Sequence, residues 1–265
     1  MKPMSASLPL PPPPTFSSDW ALFLDVDGTL LDFADTPEGV RVAPGLVDAL
    51  AALQHRLDGA LALVSGRPIA QLYRLFAPLQ LPAAGLHGLE RRGGQPRPGV
   101  EPRPPAALET LRQRAEAVTA GFPGALVEDK GLTIALHWRG NPAAAAALRA
   151  LADVALAELP DYRLQPGDQV LELQPADADK GMAIDALLET RPFRYRLPVF
   201  IGDDHTDEHG FEIVLARGGM AVLVGDRQPS IARYRLPDPA SVRAWLRDAA
   251  TSSGTRPETA DGDSA

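Results

Sequence analysis

The chain has no cysteine. Disulfide bonds, thiolate metal sites and cysteine nucleophiles are therefore excluded. Basic residues are also scarce: 26 lysines and arginines face 34 aspartates and glutamates, giving a net charge of −8. This deficit argues against a nucleic-acid partner, because such a protein needs a basic surface.

Long hydrophobic runs are absent as well, so no stretch of the sequence is expected to cross a bilayer. Residues 1–18 contain one lysine and a proline run in place of the apolar segment of a secretory signal. We therefore expect a cytoplasmic, monomeric protein without membrane contacts. The 45% hydrophobic content suffices for one large domain or two smaller ones.

Predicted strands and helices alternate in the first and last thirds of the chain. Apolar runs at 21–24, 60–64 and 198–201 predict buried strands. Periodic apolar residues after Pro44 and Pro68 predict helices that begin near those prolines. This alternation is typical of an α/β protein with a doubly wound parallel sheet.

The pattern changes at about Arg91, where a Gly/Pro/Arg-rich stretch begins. The segment that follows predicts helices and short alternating strands, which favour an inserted antiparallel α+β cap domain. The predicted division is 19–91 and 176–250 for the core, 92–175 for the cap, 1–18 for a loosely held Pro-rich arm and 251–265 for a disordered tail.

Two carboxylates follow the first predicted strand, Asp25 and Asp27. Neighbouring aspartates at the end of a buried strand repel each other and lose hydration, so a cation or a catalytic task must compensate. Taken alone, the pair also fits a solvated Asp-Gly turn. Four further polar residues lie at strand ends or a helix start and favour a site: Ser65, Lys180, Asp203 and Asp204.

The carboxyl ends of parallel strands open onto one edge of a doubly wound sheet, where ligands bind. Carboxylates, a serine and a lysine gathered there suit phosphoryl transfer through a covalent aspartyl phosphate. A carboxylate repels an anionic phosphate unless a divalent cation bridges them, and Mg²⁺ is the natural candidate. The second carboxylate can serve as general acid and then as general base.

Four short motifs occur in order along the chain: Asp25-Val26-Asp27-Gly28-Thr29, Ser65-Gly66-Arg67, Lys180-Gly181 and Gly202-Asp203-Asp204-x-x-Asp207. Together they resemble the motifs of the haloacid-dehalogenase-like (HAD) phosphatases. That superfamily has a Rossmann-like core, and large α/β caps are inserted between its second and third motifs. The resemblance therefore implies the same position for the cap of this chain.

The HAD resemblance also implies a role for each matching residue. Asp25 would be the nucleophile and Asp27 the general acid/base. Ser65 would bind phosphate, and Lys180 would steady the charge. The implied Mg²⁺ ligands are the Asp25 carboxylate, the Asp27 main-chain carbonyl, Asp203 and Asp204, with Asp207 as a nearby support.

Further stretches are shared with a narrower group: Gly85-Leu86-His87-Gly88, Val127-Glu128-Asp129-Lys130-Gly131, Leu136-His137-Trp138-Arg139, Glu172-Leu173-Gln174-Pro175 and Gly202-Asp203-Asp204-His205-Thr206-Asp207-Glu208. They resemble the trehalose-6-phosphate phosphatases. The resemblance implies Mg²⁺-dependent hydrolysis of trehalose 6-phosphate. It also implies a set of substrate-binding residues, with sugar hydroxyls held by Glu128, Lys130 and Glu172, and the passage between core and cap lined by Arg67, His87 and Gly88.

Other interpretations of these residues remain open at this point. Residues 128–130 fit a solvated hairpin turn, Glu172 fits the exposed face of a half-buried strand, and His87 fits a structural histidine. The substrate could be another sugar phosphate, such as sucrose phosphate or a mannosyl-phosphoglycerate, and the activity could be that of a phosphomutase. A catalytically idle binding domain with the same fold is the remaining alternative.

Overall fold

The computed structural model describes residues 10–34, 39–93 and 104–252. Within these ranges no helix is long and apolar enough to cross a membrane. The helices and strands are, in chain order, β1 (Trp20–Leu24), α1 (Leu46–Arg56), β2 (Leu61–Val64), α2 (Ile69–Leu75), β3 (Ala83–Gly85), β4 (Glu90–Arg92), α3 (Ala106–Thr119), β5 (Leu126–Asp129), β6 (Ile134–His137), α4 (Ala145–Leu156), β7 (Tyr162–Gly167), β8 (Val170–Pro175), α5 (Lys180–Leu188), β9 (Leu197–Gly202), α6 (Glu208–Ala216), β10 (Met220–Val224), β11 (Tyr234–Leu236) and α7 (Pro239–Thr251).

The larger sheet has the strand order β11-β10-β9-β1-β2-β3-β4. All neighbouring strands are parallel except β3 and β4. The chain adds β2 and β3 on one side of β1, and later adds β9, β10 and β11 on the other. The strand order therefore reverses at β1, where a doubly wound sheet opens a ligand crevice. The predicted α/β core is confirmed.

The central strands are apolar because both of their faces are covered. Every residue of β1 and β2 is buried, as expected for parallel strands between two layers of helices. Phe23 of β1 stacks on Phe193 with the ring centroids 5.4 Å apart. Burial of this kind fixes the sheet, and with it the position of the polar residues that follow each strand.

A separate antiparallel sheet is formed by the four strands between residues 126 and 175, in the order β5-β6-β8-β7. One face packs on α3 and α4 through a second apolar cluster that includes Leu111, Leu136, Leu148 and Leu173. This is the predicted α+β insertion. The limits assigned to the two domains remain predictions.

The described part of the N-terminal arm contacts the core at a few points, although most of its residues are exposed. The Phe16 side chain is buried, and its ring contacts Trp20 edge-on with centroids 5.8 Å apart. The carbonyl oxygen of Pro11 accepts a hydrogen bond from the backbone amide of Arg235 at 2.9 Å. The arm is therefore attached to the core at Pro11 and Phe16, and its loose packing elsewhere stays a prediction. Residues 1–9 and most of the predicted tail (253–265) lie outside the described ranges.

Two edge strands were not predicted. Strand β4 consists of a glutamate and two arginines and pairs antiparallel with β3 through its backbone. Strand β11 has three residues and closes the opposite edge beside β10. Short, charged edge strands lack the apolar pattern that marks a central strand, so sequence periodicity does not identify them.

Candidate active site

Three carboxylates converge at the carboxyl ends of β1 and β9. These neighbouring strands pair Leu24 with Ile201, so Asp25 and Asp203 leave the sheet side by side. Oxygen atoms of Asp25, Asp203 and Asp207 all lie within 4.8 Å of one another. This spacing fits a divalent cation, which binds carboxylate oxygens. The structure thus brings Asp25 and Asp203 together.

Gly28 permits the close approach of Asp203. Its φ of +79° is in the left-handed region that favours glycine, and a Cβ atom there would lie 2.2 Å from Oδ2 of Asp203. The neighbouring Thr29 hydroxyl donates to Oδ1 of Asp203 at 3.0 Å. The turn after β1 therefore both makes room for the Asp203 carboxylate and orients it.

Lys180 forms a buried ionic bridge within the cluster. Its Nζ donates to Oδ1 of Asp25 at 2.7 Å and to Oδ1 of Asp207 at 2.6 Å. Asp179 caps α5 by accepting from the backbone amides of Gly181 and Met182, which fixes the start of the helix and hence Lys180. Burial alone would lower the pKa of Lys180, but the charges of Asp207 and Asp25 outweigh it and raise that pKa.

Lys180 alone does not balance the negative charges of the three clustered aspartates, Asp25, Asp203 and Asp207. Burial raises the pKa of Asp25 well above its usual value, and the charges of Asp207 and Asp203 add to the increase although Lys180 opposes it. Burial and the charge of Asp207 raise the pKa of Asp203 to about 7. A further cation beside these groups would keep both ionised. The donor set therefore fits a divalent metal.

Asp204 and Asp207 have structural partners that the sequence did not indicate. The Asp204 carboxylate accepts from the backbone amide of Asp207, as the cap of the short 3₁₀ turn that precedes α6. Oδ2 of Asp207 accepts from the amides of Asp203 and Asp204 at 2.9 Å each. Asp204 is outside the triad of Asp25, Asp203 and Asp207. The Asp204 side chain thus shapes the turn, and its role as a Mg²⁺ ligand stays a prediction.

Asp27 is held by Arg67. The Arg67 Nε and Nη2 atoms donate to the two carboxylate oxygens of Asp27, each at 2.7 Å. This bidentate pair joins the turn after β1 to the turn after β2, and such pairs fix a carboxylate in both position and plane. The Asp27 side chain remains 32% exposed, so a substrate can reach it. Arg67 thus contacts the candidate acid/base residue directly.

Ser65 follows β2 at the same edge of the sheet. Leu24 pairs with Leu63 across β1 and β2, so Ser65 leaves β2 beside the Asp25 turn. Its side chain is buried, and Oγ accepts a hydrogen bond from the backbone amide of Arg67 at 3.1 Å. The hydroxyl proton is thereby left to donate to a phosphate oxygen.

His87 and Gly88 form the turn after β3. His87 has φ +52°, and its ring packs against Gly66 so closely that a Cβ on that glycine would lie 2.6 Å from Nε2. Gly88 has φ +101°, and a Cβ there would lie 2.7 Å from the carbonyl oxygen of Asp179. The turn therefore lies between the Ser65 loop and the start of α5, and its role in lining a passage between core and cap stays a prediction.

Lys130 and Glu172 connect the cap to the core. Lys130 Nζ donates to Oε2 of Glu172 at 3.0 Å and lies 3.4 Å from the carbonyl oxygen of Gly66. Nε2 of His87 lies 3.8 Å from the same Glu172 oxygen. Both cap side chains are buried. The alternative interpretations, that Lys130 lies in a solvated turn and Glu172 on an exposed strand face, are therefore wrong. Burial alone would raise the pKa of Glu172, but Lys130 and His87 outweigh it and lower that pKa.

Glu128 is paired with His137 on the neighbouring strand. His137 Nε2 and Oε2 of Glu128 are 3.1 Å apart. Burial would raise the pKa of Glu128, but the hydrogen bond from His137 and the charge of Lys130 lower it overall. Arg139 lies beyond the end of β6, and its guanidinium is 5.8 Å from the ring centroid of Phe33, an exposed residue of the core domain.

Comparison with known proteins identifies the family. The sequence model of the family described as "Trehalose-phosphatase" matches residues 23–240. A probable trehalose-phosphate phosphatase of Sinorhizobium fredii is 44% identical over 215 residues, which cover 80% of each chain. The trehalose-6-phosphate phosphatase of Escherichia coli is 39% identical over 238 residues, covering 90% of this chain and 89% of that protein. The chain belongs to the trehalose-phosphatase family.

Family membership makes the chain a phosphoric monoester hydrolase and confirms the resemblance inferred from its motifs. The fold agrees: the C-terminal domain of Candida albicans trehalose-6-phosphate phosphatase superposes with a TM-score of 0.70 at 21% identity. That alignment covers 86% of this chain and 91% of the other. The predicted HAD-type core with an inserted cap is therefore also found in a solved structure.

Some residues of this trehalose-phosphatase site carry no recognisable motif. Arg227 donates to the backbone carbonyl oxygens of Asp203 and Asp204 at 3.0 and 3.2 Å, and so supports the loop after β9. It also forms an ion pair with Glu208 at the start of α6. The role of an isolated arginine after β10 cannot be recognised from a single sequence, because only the fold brings it next to the loop of Asp203 and Asp204.

Proposed function

We propose that this protein hydrolyses trehalose 6-phosphate to trehalose and phosphate in a Mg²⁺-dependent reaction. The observation that carries the proposal is the buried Asp25–Lys180 pair beside Asp203, covered by a cap whose Lys130 and Glu172 face the core. The names of the similar proteins from S. fredii and E. coli support the same substrate.

Asp25 is the proposed nucleophile. Its carboxylate attacks the phosphorus, forming an aspartyl phosphate and releasing the sugar oxygen, which takes a proton from the carboxylic acid form of Asp27. Asp27 then accepts a proton from the water that attacks the aspartyl phosphate, and this step frees inorganic phosphate and regenerates Asp25. Arg67 holds the Asp27 carboxylate in place. Ser65 donates to a phosphate oxygen, and Lys180 offsets the negative charge.

The proposed ligands of Mg²⁺ are the carboxylates of Asp25 and Asp203 and the main-chain carbonyl of Asp27. When bound, the ion supplies the positive charge that lets two anions, carboxylate and phosphate, approach each other. Asp207 supports the site by holding Lys180 and the amides after β9.

The proposed sugar-binding groups lie in the cap and at its contact with the core. Glu128 and Glu172 offer carboxylate oxygens to sugar hydroxyls, and Lys130 donates to sugar oxygens. His87 and Gly88 line the passage from the core side. We further propose that the enzyme acts as a monomer in the cytoplasm, without nucleic-acid or membrane partners.

Phosphate release from a panel of substrates tests the proposal. The panel contains trehalose 6-phosphate, sucrose phosphate, a mannosyl-phosphoglycerate and glucose 6-phosphate, each with Mg²⁺ and with excess chelator. We expect Mg²⁺-dependent release that is fastest from trehalose 6-phosphate. Preference for another sugar phosphate, or transfer of phosphate within a sugar, would contradict the substrate, and no release from any compound would favour the idle binding domain.

A further inference from the structure

The space between cap and core, here called the cleft, is lined by Lys130, Glu172 and His87 and extends beyond the Lys130–Glu172 pair. The part beyond this pair is a cavity of about 190 Å³ between the cap sheet and the core, next to the catalytic lysine candidate. One water molecule takes up about 30 Å³ in the liquid, so the space exceeds that of a single bound water. Its lining includes His87, Arg163, Gln174, Lys180, Thr206 and His209.

Gln174 is the most unusual residue of this lining. Its side chain is fully buried, and neither its amide nitrogen nor its amide oxygen has a hydrogen-bond partner among the described residues. Buried amides are almost always paired, because leaving one unpaired is unfavourable. Its two free hydrogen-bonding atoms therefore indicate a partner that the protein itself does not supply.

Gln174 belongs to the same face of the cap as Glu172. The two residues are separated by one position in β8, so their side chains point to the same side of the sheet. Arg163 pairs with Gln174 across β7 and β8. Arg163 donates through Nη2 to the carbonyl oxygen of Ala178 at 2.7 Å, whereas its Nε has no partner within the described ranges.

His87 links this cavity to the sugar-binding groups already described. Its Nε2 lies 3.8 Å from Glu172, and its Nδ1 is buried without a partner in the described part of the chain. His87 thus contacts Glu172 and lines the same cavity as Gln174. Glu172 and Gln174 both have buried atoms available for a ligand, since Oε1 of Glu172 also lacks a partner among the described residues.

We propose that Gln174 is a specificity-determining residue that binds a sugar hydroxyl of the substrate, with Arg163 as its neighbour in the same subsite. A hydroxyl both donates and accepts, and an amide side chain offers one group of each kind. Lys180, which also pairs with the proposed nucleophile Asp25, is part of the cavity lining. The inference rests on the proposed function, because it takes the substrate to be a sugar phosphate.

The variant Gln174→Leu tests the subsite, since leucine keeps a similar volume and removes both amide atoms. We expect the ratio of kcat/KM for trehalose 6-phosphate to kcat/KM for p-nitrophenyl phosphate to fall roughly tenfold, through KM, as for the loss of a hydrogen bond. The Tm without substrate should stay equal or rise, because no intramolecular bond is lost. Gln113→Leu is the matched control, because Gln113 lies on the exposed face of α3 and pairs with Glu109.

Each outcome decides the role of Gln174. An unchanged ratio in Gln174→Leu would overturn the subsite and leave bound water as the partner of the amide. A lower Tm with equal losses on both substrates would also overturn it, in favour of a structural role, and Gln174→Ala would repeat the measurement if the leucine variant failed to fold. If the wild-type enzyme prefers another sugar phosphate, the proposal of trehalose 6-phosphate as substrate is wrong. The effect of Gln174→Leu on the ratio of kcat/KM for that compound to kcat/KM for p-nitrophenyl phosphate then still tests the subsite. A wild type that favours no sugar phosphate over p-nitrophenyl phosphate would overturn both.

Discussion

The acidic cluster of the core and the cleft beneath the cap are both buried and polar, yet they differ in how their polar atoms are partnered. In the core, Lys180 bridges Asp25 and Asp207, and Thr29 holds Asp203. In the cleft, buried atoms of His87, Glu172 and Gln174 lack hydrogen-bond partners within the described residues. The proposed phosphoryl-transfer groups are thus oriented before substrate arrives, whereas the proposed sugar-binding region keeps buried atoms that a ligand could pair with.

This contrast predicts different consequences of mutation in the two regions. Substitutions in the core cluster should lower stability and chemistry together, because the same ionic bonds support both. Substitutions in the cleft that remove only atoms without a protein partner, such as the amide of Gln174, should mainly raise KM for the sugar phosphate, because the lost partner belongs to the substrate.

The largest stability effect is expected for Lys180→Met. Removing the lysine leaves two buried carboxylates without their cation, which should lower the free energy of unfolding by about 3–5 kcal/mol. Urea unfolding at pH 7 measures the loss. The double variant Lys180→Met/Asp207→Asn should recover part of it, because one carboxylate charge is removed. A Lys180→Met protein as stable as wild type would show that the bridge does not support the fold.

A smaller, pH-dependent effect is expected for Glu172→Gln. The pKa of Glu172 is lower in the folded protein than its usual value of 4.5. Its ionised form therefore stabilises the fold above that pH, and the benefit is lost as the pH falls through the lowered pKa. The variant should be less stable at pH 7 by about 1–3 kcal/mol, and the difference should shrink as the pH falls below 4.5.

Thermal unfolding from pH 7 down to pH 3 measures this difference. Glu189→Gln is the control, because Glu189 pairs with Arg217 at the surface and should change stability by less than about 1 kcal/mol. A difference between wild type and Glu172→Gln that stays constant with pH would contradict the assigned ionisation.

Glu128→Ala should act on substrate binding. Loss of a charged hydrogen-bond acceptor is expected to raise KM for trehalose 6-phosphate by about 10- to 100-fold, and to affect a small aryl phosphate much less. Steady-state kinetics on both substrates measure the difference, with exposed Glu158→Ala as control. Equal losses on both substrates would show that Glu128 of the cap does not determine substrate specificity.

The smallest effect is expected at the contact between Phe33 and Arg139. The cation–π pair joins core and cap at an exposed position, where such pairs contribute about 0.5–1 kcal/mol. Phe33→Ala should therefore raise KM for trehalose 6-phosphate by less than about fivefold. Tyr195→Ala removes a comparable exposed pair with Arg194 and serves as control. A loss of turnover in Phe33→Ala would mean that this residue acts in the chemistry itself.

Much of the core site could be predicted because its residues follow buried strands. Asp25, Ser65 and Asp203 lie where apolar runs end, and a parallel sheet brings such positions to one edge. The different uses of Asp204 and Asp207 could not be predicted, since they depend on the turn between β9 and α6. The support given by Arg227 depends on the same local geometry.

The cleft was less predictable for a different reason. The motifs indicated Glu128, Lys130 and Glu172, but the pairing of Arg163 with Gln174 depends on the register of β7 and β8. The contact of His87 with Glu172 depends on how the cap lies over the core. Neither the strand register nor the position of the cap can be predicted directly from a single sequence, because both depend on packing between distant segments.

Phosphate release from trehalose 6-phosphate by Asp25→Asn tests the central claim most directly, with exposed Asp48→Asn as the matched control and circular dichroism to confirm folding. If the Asp25 carboxylate accepts the phosphoryl group, turnover should fall by about 10⁴-fold or more in a folded protein, because asparagine cannot form the aspartyl phosphate. Appreciable residual turnover by folded Asp25→Asn would contradict that role.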